Sequence, residues 1–498
     1  MTPGAHGYRT VRGSPIASDH DLPADGMSER WDAVVVGAGP NGLVAAATLA
    51  QAGRSVLVLE RADTIGGGLR SDRLDGLVRD RCAAVMPFAV ASPTLLDLDL
   101  DRHGLRWAQP DVPFTQPLDD GRVGASLRDL DATADLLGPD GPRYRKLIEP
   151  FVDRWNELSA EVQQPIAHLP RHPLVLARYG LSGVRSAKHL VSRFENDEVK
   201  GLFAGCAAHG VLPLESPFTA AFATLFAASA HAVGWPVVEG GSGRLADALA
   251  SAIVADGGEI RTDAAVTSLA DLPPHEVAIF DTDLRQLASI AGDALSTRYR
   301  RTIGRFRSGP AACKVDHVLS GPVPWRDPHS ARAATVHVGG TFEETAAAEA
   351  DVAAGRHPER PFALVVQQDV ADPSRIDDQG RRTLWSYTHV PNGSDVDCTD
   401  AIEAQIERFA PGFRDVIISR DVTTAPAFEA YNPNYIGGDI TGGAHNARQL
   451  IARPRLLRPH RTSNPSILVC SASTAPGAGV HGTGGRLAAD TALATTLR

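Results

Sequence analysis

The feature that most constrains the fold is a strand, a glycine-rich turn and a helix near the start of the chain. Residues 32–36 form a short apolar, β-branched run, which favours a buried parallel strand. Residues 37–42 read Gly-Ala-Gly-Pro-Asn-Gly, and apolar residues at helical spacing predict a helix over 43–53. A second apolar run follows at 56–59. This order predicts the βαβ unit of a Rossmann-type dinucleotide fold.

Each glycine of the turn has a physical role in such a fold. Gly37 permits the tight turn, Gly39 leaves room for a pyrophosphate against the backbone, and Gly42 lets the helix approach the strand. The helix N-terminus offers free N–H groups and the positive end of its dipole to phosphates. Glu60, which ends the second strand, is placed to accept hydrogen bonds from ribose hydroxyls.

The segment after Glu60 favours FAD over NAD. An NAD dehydrogenase would continue into another crossover helix, but three consecutive glycines, Gly66 to Gly68, make a helix at this point unfavourable. Three glycines suit a backbone that lies flat against a long, extended cofactor. Arg70 follows within reach of a phosphate, and a solvated surface arginine is the equal alternative.

The C-terminus carries a second glycine cluster. A strand over 467–470 precedes Gly-Ala-Gly-Val-His-Gly at 477–482, and a helix is predicted from about 486 to 497. Only 16 residues follow Gly482, which is enough for one helix but for no further strand. The cluster is therefore predicted to complete the first fold, with the terminal helix aimed at the cofactor, where its dipole would stabilise a reduced flavin. The sequence predicts one FAD and no separate pyridine-nucleotide site.

A mid-chain segment predicts a return to the same sheet. A glycine-rich stretch at 239–244 leads into a helix over 245–254 and strands at 259–261 and 277–280, and an unrelated αβ unit is the alternative. Val266 is predicted beside the adenine end of the cofactor. The complete set of predicted cofactor contacts is Gly37, Gly39, Pro40, Asn41, Gly42, Glu60, Arg61, Gly67, Gly68, Leu69, Arg70, Val266, Gly477, Gly479, Val480, His481 and Gly482.

From about Trp31 to its end, the chain resembles the phytoene desaturase-like branch of FAD-dependent oxidoreductases. More narrowly, it is similar to the group called pyridine nucleotide-disulfide oxidoreductase domain-containing protein 2. The resemblance implies FAD binding, dehydrogenation of a C–C or C–N bond, and a substrate domain inserted in segments into the FAD domain. The segments that carry it, besides the glycine motifs, are Cys313-Lys314-Val315-Asp316, residues 321–325 and 432–439, Arg453-Pro454 and residues 476–482.

The predicted fold class is α/β, with a Rossmann-type FAD-binding domain of the glutathione reductase and amine oxidase kind and an inserted α+β substrate domain. Helices are expected at 144–159, 174–179 and 217–230, and strands at 334–338 and 362–366. The predicted boundaries are a disordered leader at 1–30, with Met27 as an alternative start; an FAD-binding domain at 31–81, 232–299 and 455–498; and a substrate domain at 82–231 and 300–454.

Composition excludes several other classes of protein. A net charge of −10 argues against nucleic acid as a partner. Five scattered cysteines without a CxxC pair argue against a zinc cluster, a disulfide framework and a redox-active dithiol, so no metal is expected and the cytoplasm is the expected compartment. Residues 216–238 contain no charged residue and are interpreted as a buried helix. A membrane-dipping element is the alternative, which leaves peripheral membrane association open.

The predicted chemistry centres on the closing motif. His481 is the candidate catalytic base, and a hydrogen bond that holds the glycine loop is its alternative role. Asn434, Tyr435 and Asp439 are expected near the flavin, with a structural turn as the alternative. An apolar tunnel, or plain core packing, is predicted for Phe218, Phe222, Phe226 and Trp235.

The preferred prediction is an FAD-dependent oxidoreductase that removes a hydride from a C–C or C–N bond of an apolar or amphipathic small molecule. A flavin amine oxidase is the first alternative. The second is a non-catalytic binding or regulatory protein on the same fold, as in Rab GDP-dissociation inhibitors. The intact glycines of both motifs argue against this last alternative.

Overall fold

A computed structural model describes residues 30–498, so the leader predicted at 1–30 lies outside the described residues except for Arg30. The strands are β1 (Trp31–Val36), β2 (Val56–Leu59), β3 (Ser71–Leu74), β4 (Leu77–Asp80), β5 (Trp107–Ala108), β6 (Val112–Pro117), β7 (Val123–Ser126), β8 (Val237–Val238), β9 (Glu259–Arg261), β10 (His275–Phe280), β11 (Ala311–Leu319), β12 (Ala333–Val338), β13 (Ala363–Val366), β14 (Arg382–Val390), β15 (Ile417–Thr423) and β16 (Ile467–Val469). The helices are α1 (Pro40–Gln51), α2 (Pro93–Leu96), α3 (Leu130–Leu136), α4 (Gly141–Val152), α5 (Trp155–Val162), α6 (Pro173–Gly183), α7 (Ala187–Val191), α8 (Asp197–Ala208), α9 (Thr219–Ala232), α10 (Gly243–Ala255), α11 (Leu284–Ala291), α12 (Thr297–Ile303), α13 (Phe342–Ala353), α14 (Gln368–Ala371), α15 (Thr399–Phe409), α16 (Ala425–Tyr431), α17 (Ala447–Ile451) and α18 (Thr483–Leu493).

A parallel five-stranded sheet is formed by stretches that lie far apart in the sequence. Its strand order is β16-β10-β1-β2-β9. In β1, Val35 pairs with Ile279 of β10 on one side and with Val58 of β2 on the other. Because all five strands run the same way, their carboxyl ends meet at one edge, where open α/β sheets bind ligands.

Helices cover both faces of this sheet. Ala33 and Val35 point to a face that is buried with α1, α10 and α18. The alternate residues Val34 and Val36 point to the opposite face, which is buried with α11 and α12. Both faces of β1 are apolar for this reason, and the three layers confirm the predicted α/β class.

A second, mixed sheet of seven strands has the order β15-β11-β14-β13-β12-β6-β7. Only β12 and β6 pair in parallel among its neighbours. Helices α4 to α9 form an apolar cluster beside it, around Phe114, Tyr144 and Trp235. The uncharged stretch 216–238 contains α9, whose residues are largely buried. Within residues 30–498, no helix is long and apolar enough to cross a membrane.

Several predicted helix boundaries differ from the structure. The single helix expected over 144–159 is two helices, α4 and α5, which separate at Asp153 and Arg154, where the Arg154 backbone leaves the helical region (φ −117°, ψ +33°). The terminal helix begins at Thr483 instead of about 486. Gly484 and Gly485 are therefore helical; a Cβ on them would lie 2.6 Å from the carbonyl oxygen of Cys470 and 2.0 Å from that of Asn41.

A buried carboxylate joins three distant segments of the chain. Asp80 accepts a hydrogen bond from Arg375 at 2.8 Å and another from the backbone N–H of Ser242 at 2.7 Å. Arg375 also donates to the carbonyl oxygen of Val238 at 3.1 Å. Both charged side chains are almost completely buried; Arg375 also pairs with Asp372 at 3.3 Å, whereas Asp80 has no other cationic partner within residues 30–498.

Replacing Arg375 with Met should leave the Asp80 carboxylate buried and unpaired. We expect the free energy of unfolding to fall by about 3–5 kcal/mol, which thermal denaturation would detect as a lower midpoint. Arg332→Met is the matched control, since the pair that Arg332 forms with Asp111 is exposed and should contribute less than about 1 kcal/mol. Equal midpoints for the two variants would contradict the role of the buried pair.

Candidate active site

A cavity of about 790 Å³ opens at the carboxyl edge of the parallel sheet and extends toward the seven-stranded sheet. The first glycine turn and the glycine run after β2 form one end of it. The closing motif, α9, the 432–439 motif and strands of the seven-stranded sheet line much of the rest. Of the predicted cofactor contacts, those that line the cavity are Gly37, Gly39, Pro40, Asn41, Glu60, Arg61, Gly67, Gly68, Leu69, Arg70, Val266, Gly479, Val480 and His481.

Three further predicted contacts do not line the cavity but lie in the backbone turns beside it: Gly42, Gly477 and Gly482. A Cβ on Gly42 would lie 2.1 Å from the carbonyl oxygen of Gly37, so Gly42 permits the close approach of α1 to β1. Gly482 directly precedes α18, has a positive φ and lies against Val44 of α1. Gly477 also has a positive φ and lies beside the side chain of Arg453.

Glu60 lies in the cavity wall and holds the backbone around it. Its carboxylate accepts hydrogen bonds from the N–H groups of Ala38 at 2.8 Å and Ala62 at 3.0 Å. Arg70, predicted to reach a phosphate, donates to the same carboxylate at 3.1 Å. A carboxylate has about four acceptor positions, so Glu60 retains capacity for a ribose hydroxyl.

Asp281 is a site residue whose importance the sequence reasoning missed. It follows β10 and accepts a hydrogen bond from the N–H of Gly42 at 2.8 Å. Burial raises the pKa of this carboxyl to about 7, the hydrogen bond from Gly42 opposes the rise, and the charge of Glu60 adds to it. The available signal was its position at the carboxyl end of a strand that pairs with β1.

Two buried polar side-chain atoms at the glycine-turn end of the cavity lack hydrogen-bond partners within the described residues. The side-chain oxygens of Asn41 and Thr282 are buried, and neither has a hydrogen-bond partner in the described part of the chain. Both residues line the cavity, and Asn41 also lies in the first turn of α1, where backbone N–H groups have no intrahelical acceptor. Buried polar groups are normally satisfied, so this end fits a ligand rich in oxygen atoms, such as the ribityl and pyrophosphate parts of FAD.

The closing motif bends over the cavity. Gly479 has a φ of +122°, a conformation that favours glycine, and a Cβ there would lie 3.1 Å from the ring of His481. Nδ1 of His481 accepts the N–H of Thr483 at 3.1 Å, and burial lowers the pKa of His481 to about 4. A neutral ring that accepts at Nδ1 carries its proton at Nε2. This arrangement favours the holding role of His481 over that of a base.

Three aromatic residues line the part of the cavity next to the seven-stranded sheet: Trp385 and Tyr387, which the sequence reasoning did not identify, and Tyr435, which it expected near the flavin. Trp385 and Tyr387 point to the same side of β14, with ring centroids 5.1 Å apart, and Tyr435 lies beside Gly68. Trp385 and Tyr387 are two residues apart in a stretch of strand-forming residues, and this spacing could have indicated that their side chains share one face. The Lys314 ammonium lies 5.6 Å from the Trp385 ring centroid, and burial lowers its pKa.

The motif at 432–439 packs against the strand end that carries Asp281. Asn434 accepts the N–H of Asp283 at 2.8 Å and donates to the carbonyl oxygen of Asp281 at 3.2 Å. Asn434 and Tyr435 line the cavity. Asp439 is buried and accepts the N–H of Gly309, so it stabilises the turn.

The remaining end of the cavity is apolar. Phe218, Phe222, Phe226 and Trp235, the residues predicted for a tunnel, all line it. Phe226 stacks on His209 with ring centroids 4.4 Å apart. Burial lowers the pKa of His209 to about 3, so this end carries no charge from His209 near neutral pH.

Residues 30–498 contain no cluster of three or more His, Cys, Asp or Glu side chains suited to a metal ion. All five cysteines are free, and of these Cys82 alone lines the cavity.

The fold and the cavity define a flavoprotein of the α/β class. Residues 41–295 match the family of flavin containing amine oxidoreductases, and the chain belongs to that family. It is an FAD-dependent oxidoreductase.

Individual relatives agree with this assignment. The chain is 24% identical to pyridine nucleotide-disulfide oxidoreductase domain-containing protein 2 of Mus musculus, over 93% of each chain. It is 25% identical to the lycopene-forming phytoene desaturase of Pseudescherichia vulneris, over 90% of this chain and 96% of that one. A solved putrescine oxidase bound to putrescine shares the fold, with a TM-score of 0.61 and 19% identity over 95% of this chain and 100% of that one.

The raised pKa of Asp281 predicts a pH dependence of the apoprotein. The folded state binds this proton more tightly than the unfolded state. The contribution of Asp281 to the free energy of unfolding is therefore fully present below about pH 4 and is lost as the pH rises toward about 7. The decrease attributable to Asp281 amounts to about 4 kcal/mol, which Asp281→Asn should abolish. Thermal midpoints across this range test it, with the exposed Asp293→Asn as the control for a lost charge. Identical pH profiles for wild type and Asp281→Asn would contradict the assignment.

Proposed function

We propose that the protein removes a hydride from a C–C or C–N bond of an apolar or amphipathic small molecule. When bound, FAD supplies the hydride acceptor. The observation that carries the proposal is the continuity of one cavity from the polar glycine turns to the apolar end at Phe222, Leu225 and Phe226. A substrate held at that end would have its reacting bond directed at the cofactor, and orientation of this kind supplies much of the catalysis.

We further propose which residues position the cofactor. The helix start at Gly39 to Asn41 would face the pyrophosphate, Glu60 the ribose, and Val266 the adenine. The closing motif at 479–481 would lie beside the flavin ring. The hydrogen bond of His481 to the N–H of Thr483 supports a positioning role, in which the ring holds the glycine loop onto the start of α18.

Oxidation of an amine is the second candidate, and it is favoured by the family match and by the carboxylate of Glu161 in the cavity wall. A free carboxylate in the wall could pair with the ammonium group of an amine substrate. Glu161 instead accepts hydrogen bonds from His168 at 2.5 Å and from the N–H groups of Arg171 and His172 at 2.8 and 2.7 Å. These contacts support the apolar substrate over the amine.

The proposed location is the cytoplasm, with peripheral contact to a membrane. Five free cysteines are compatible with a reducing compartment. An apolar substrate would partition into a bilayer, so an enzyme that uses it would gain from lying at the membrane surface.

Anaerobic mixing with a panel of alkenes, alcohols and alkylamines tests the reaction. We expect an apolar or amphipathic compound to bleach the visible flavin absorbance. Bleaching by short polar diamines alone would favour the amine oxidase, and flavin that dithionite reduces but no compound bleaches would contradict the proposed substrate class.

Substitution of Leu225, which lines the apolar end, tests where the substrate binds. Leu225→Asn should lower kcat/KM for an apolar substrate by about 10–100-fold, because a polar amide would lie unpaired against it. The flavin spectrum should not change. Leu457→Asn, at an exposed leucine in the loop before β16, is the control and should retain wild-type kcat/KM. Wild-type activity of Leu225→Asn would place the substrate elsewhere.

A further inference from the structure

Large apolar side chains are exposed together in the segment 163–193, which we call the docking segment. It comprises a loop, helix α6, and helix α7. Leu169 is 92% exposed, Leu174 78% and Leu181 74%, and Ile166 and Val184 are also more than half exposed. Five such residues in one short segment exceed the isolated apolar residues of an ordinary protein surface and indicate an interaction site.

The docking segment is also positively charged. It has no Asp or Glu between Gln163 and Phe194, although the whole chain has a net charge of −10. Within the described residues, its four arginines form no salt bridge, while Lys188 lies 3.6 Å from Glu215. These arginines, all exposed, are Arg171, Arg178, Arg185 and Arg193.

Helical geometry places the two kinds of side chain on one face. Leu174, Arg178 and Leu181 follow one another at spacings of four and three residues, so they lie on the same side of α6. The opposite side of α6 packs on α9, where the Tyr179 hydroxyl donates to the carbonyl oxygen of Ala221 at 3.1 Å. The exposed face therefore presents leucine and arginine side chains side by side, as helices that lie in a membrane interface do.

The docking segment borders the opening of the cavity. Ile166 is 57% exposed and also lines the cavity, as do Leu176 and Tyr179 of α6. Glu161 holds the loop in this place through the N–H groups of Arg171 and His172. The surface ends at a groove that Leu174 and Arg178 line together with Glu149 of α4 and Asp153, which follows α4.

We infer that the docking segment binds the surface of an anionic lipid bilayer, with Leu169, Leu174 and Leu181 in the interfacial region and the arginines on lipid phosphates. Apolar area and basic charge are the two features that such binding requires. In this orientation the opening at Ile166 faces the membrane. An apolar substrate can then enter the cavity without crossing water, a consequence that rests on the proposed function.

Flotation of the FAD-loaded full chain with vesicles tests the inference. Vesicles of phosphatidylglycerol and phosphatidylcholine should carry the protein, while phosphatidylcholine alone should carry little, and added salt should release it. Arg178→Gln and Arg185→Gln should each weaken binding by about fivefold. The triple variant L169Q/L174Q/L181Q should lose binding by about 100-fold or more, because three leucines no longer enter the interface.

The matched control is Leu457→Gln, which changes a leucine that is 65% exposed outside the docking segment and should bind like wild type. An unchanged flavin spectrum confirms that each variant is folded. Wild type that stays in solution with both kinds of vesicle would overturn the inference, as would a triple variant that still floats. If wild type binds no vesicles but forms a dimer, and the triple variant is a monomer, the surface would be assigned to a second copy of the chain. Flotation needs no turnover, so its failure is distinct from a failure of the proposed reaction.

Discussion

The close approach of α1 to β1 is the constraint on which the rest of the site depends. Gly42 lies so near the carbonyl oxygen of Gly37 that no side chain fits between them. The approach brings the N–H of Gly42 to the Asp281 carboxylate and turns the start of α1 toward the cavity. A larger residue at Gly42 would move the helix and remove the polar end of the cavity. The hydrogen bond from Gly42 also ties α1 to the end of β10, which lies more than two hundred residues away in sequence.

The parallel sheet and the seven-stranded sheet contribute chemically different residues to this cavity. The parallel sheet supplies backbone N–H groups, carboxylates and glycines, which suit a charged nucleotide. The seven-stranded sheet and α9 supply aromatic and aliphatic side chains, which suit an uncharged substrate. Because the strands of the parallel sheet come from separate parts of the chain, folding of this sheet also positions the inserted elements. The buried Asp80 and Arg375 pair strengthens that connection.

The sequence predicted the parallel sheet well because its signals are local. Glycine spacing, a β-branched strand and a following helix all lie within thirty residues, and they predicted many of the residues that line the glycine-turn end of the cavity. Asp281, Trp385 and Tyr387 were missed because their importance arises from tertiary contacts with distant residues. The boundary errors are local: α4 and α5 separate at Asp153 and Arg154, and Gly484 and Gly485 are helical. The hydrogen bond between His481 and Thr483 arises from the local geometry of the closing motif, which no spacing rule indicates.

The most direct test of the account is the flavin content of the purified protein. Release of the cofactor by denaturation, followed by its identification and quantification, should give one FAD per chain and no FMN or NAD, since one cavity contains both glycine motifs. A protein that stays colourless and takes up no flavin after incubation with excess FAD would contradict the account at its centre.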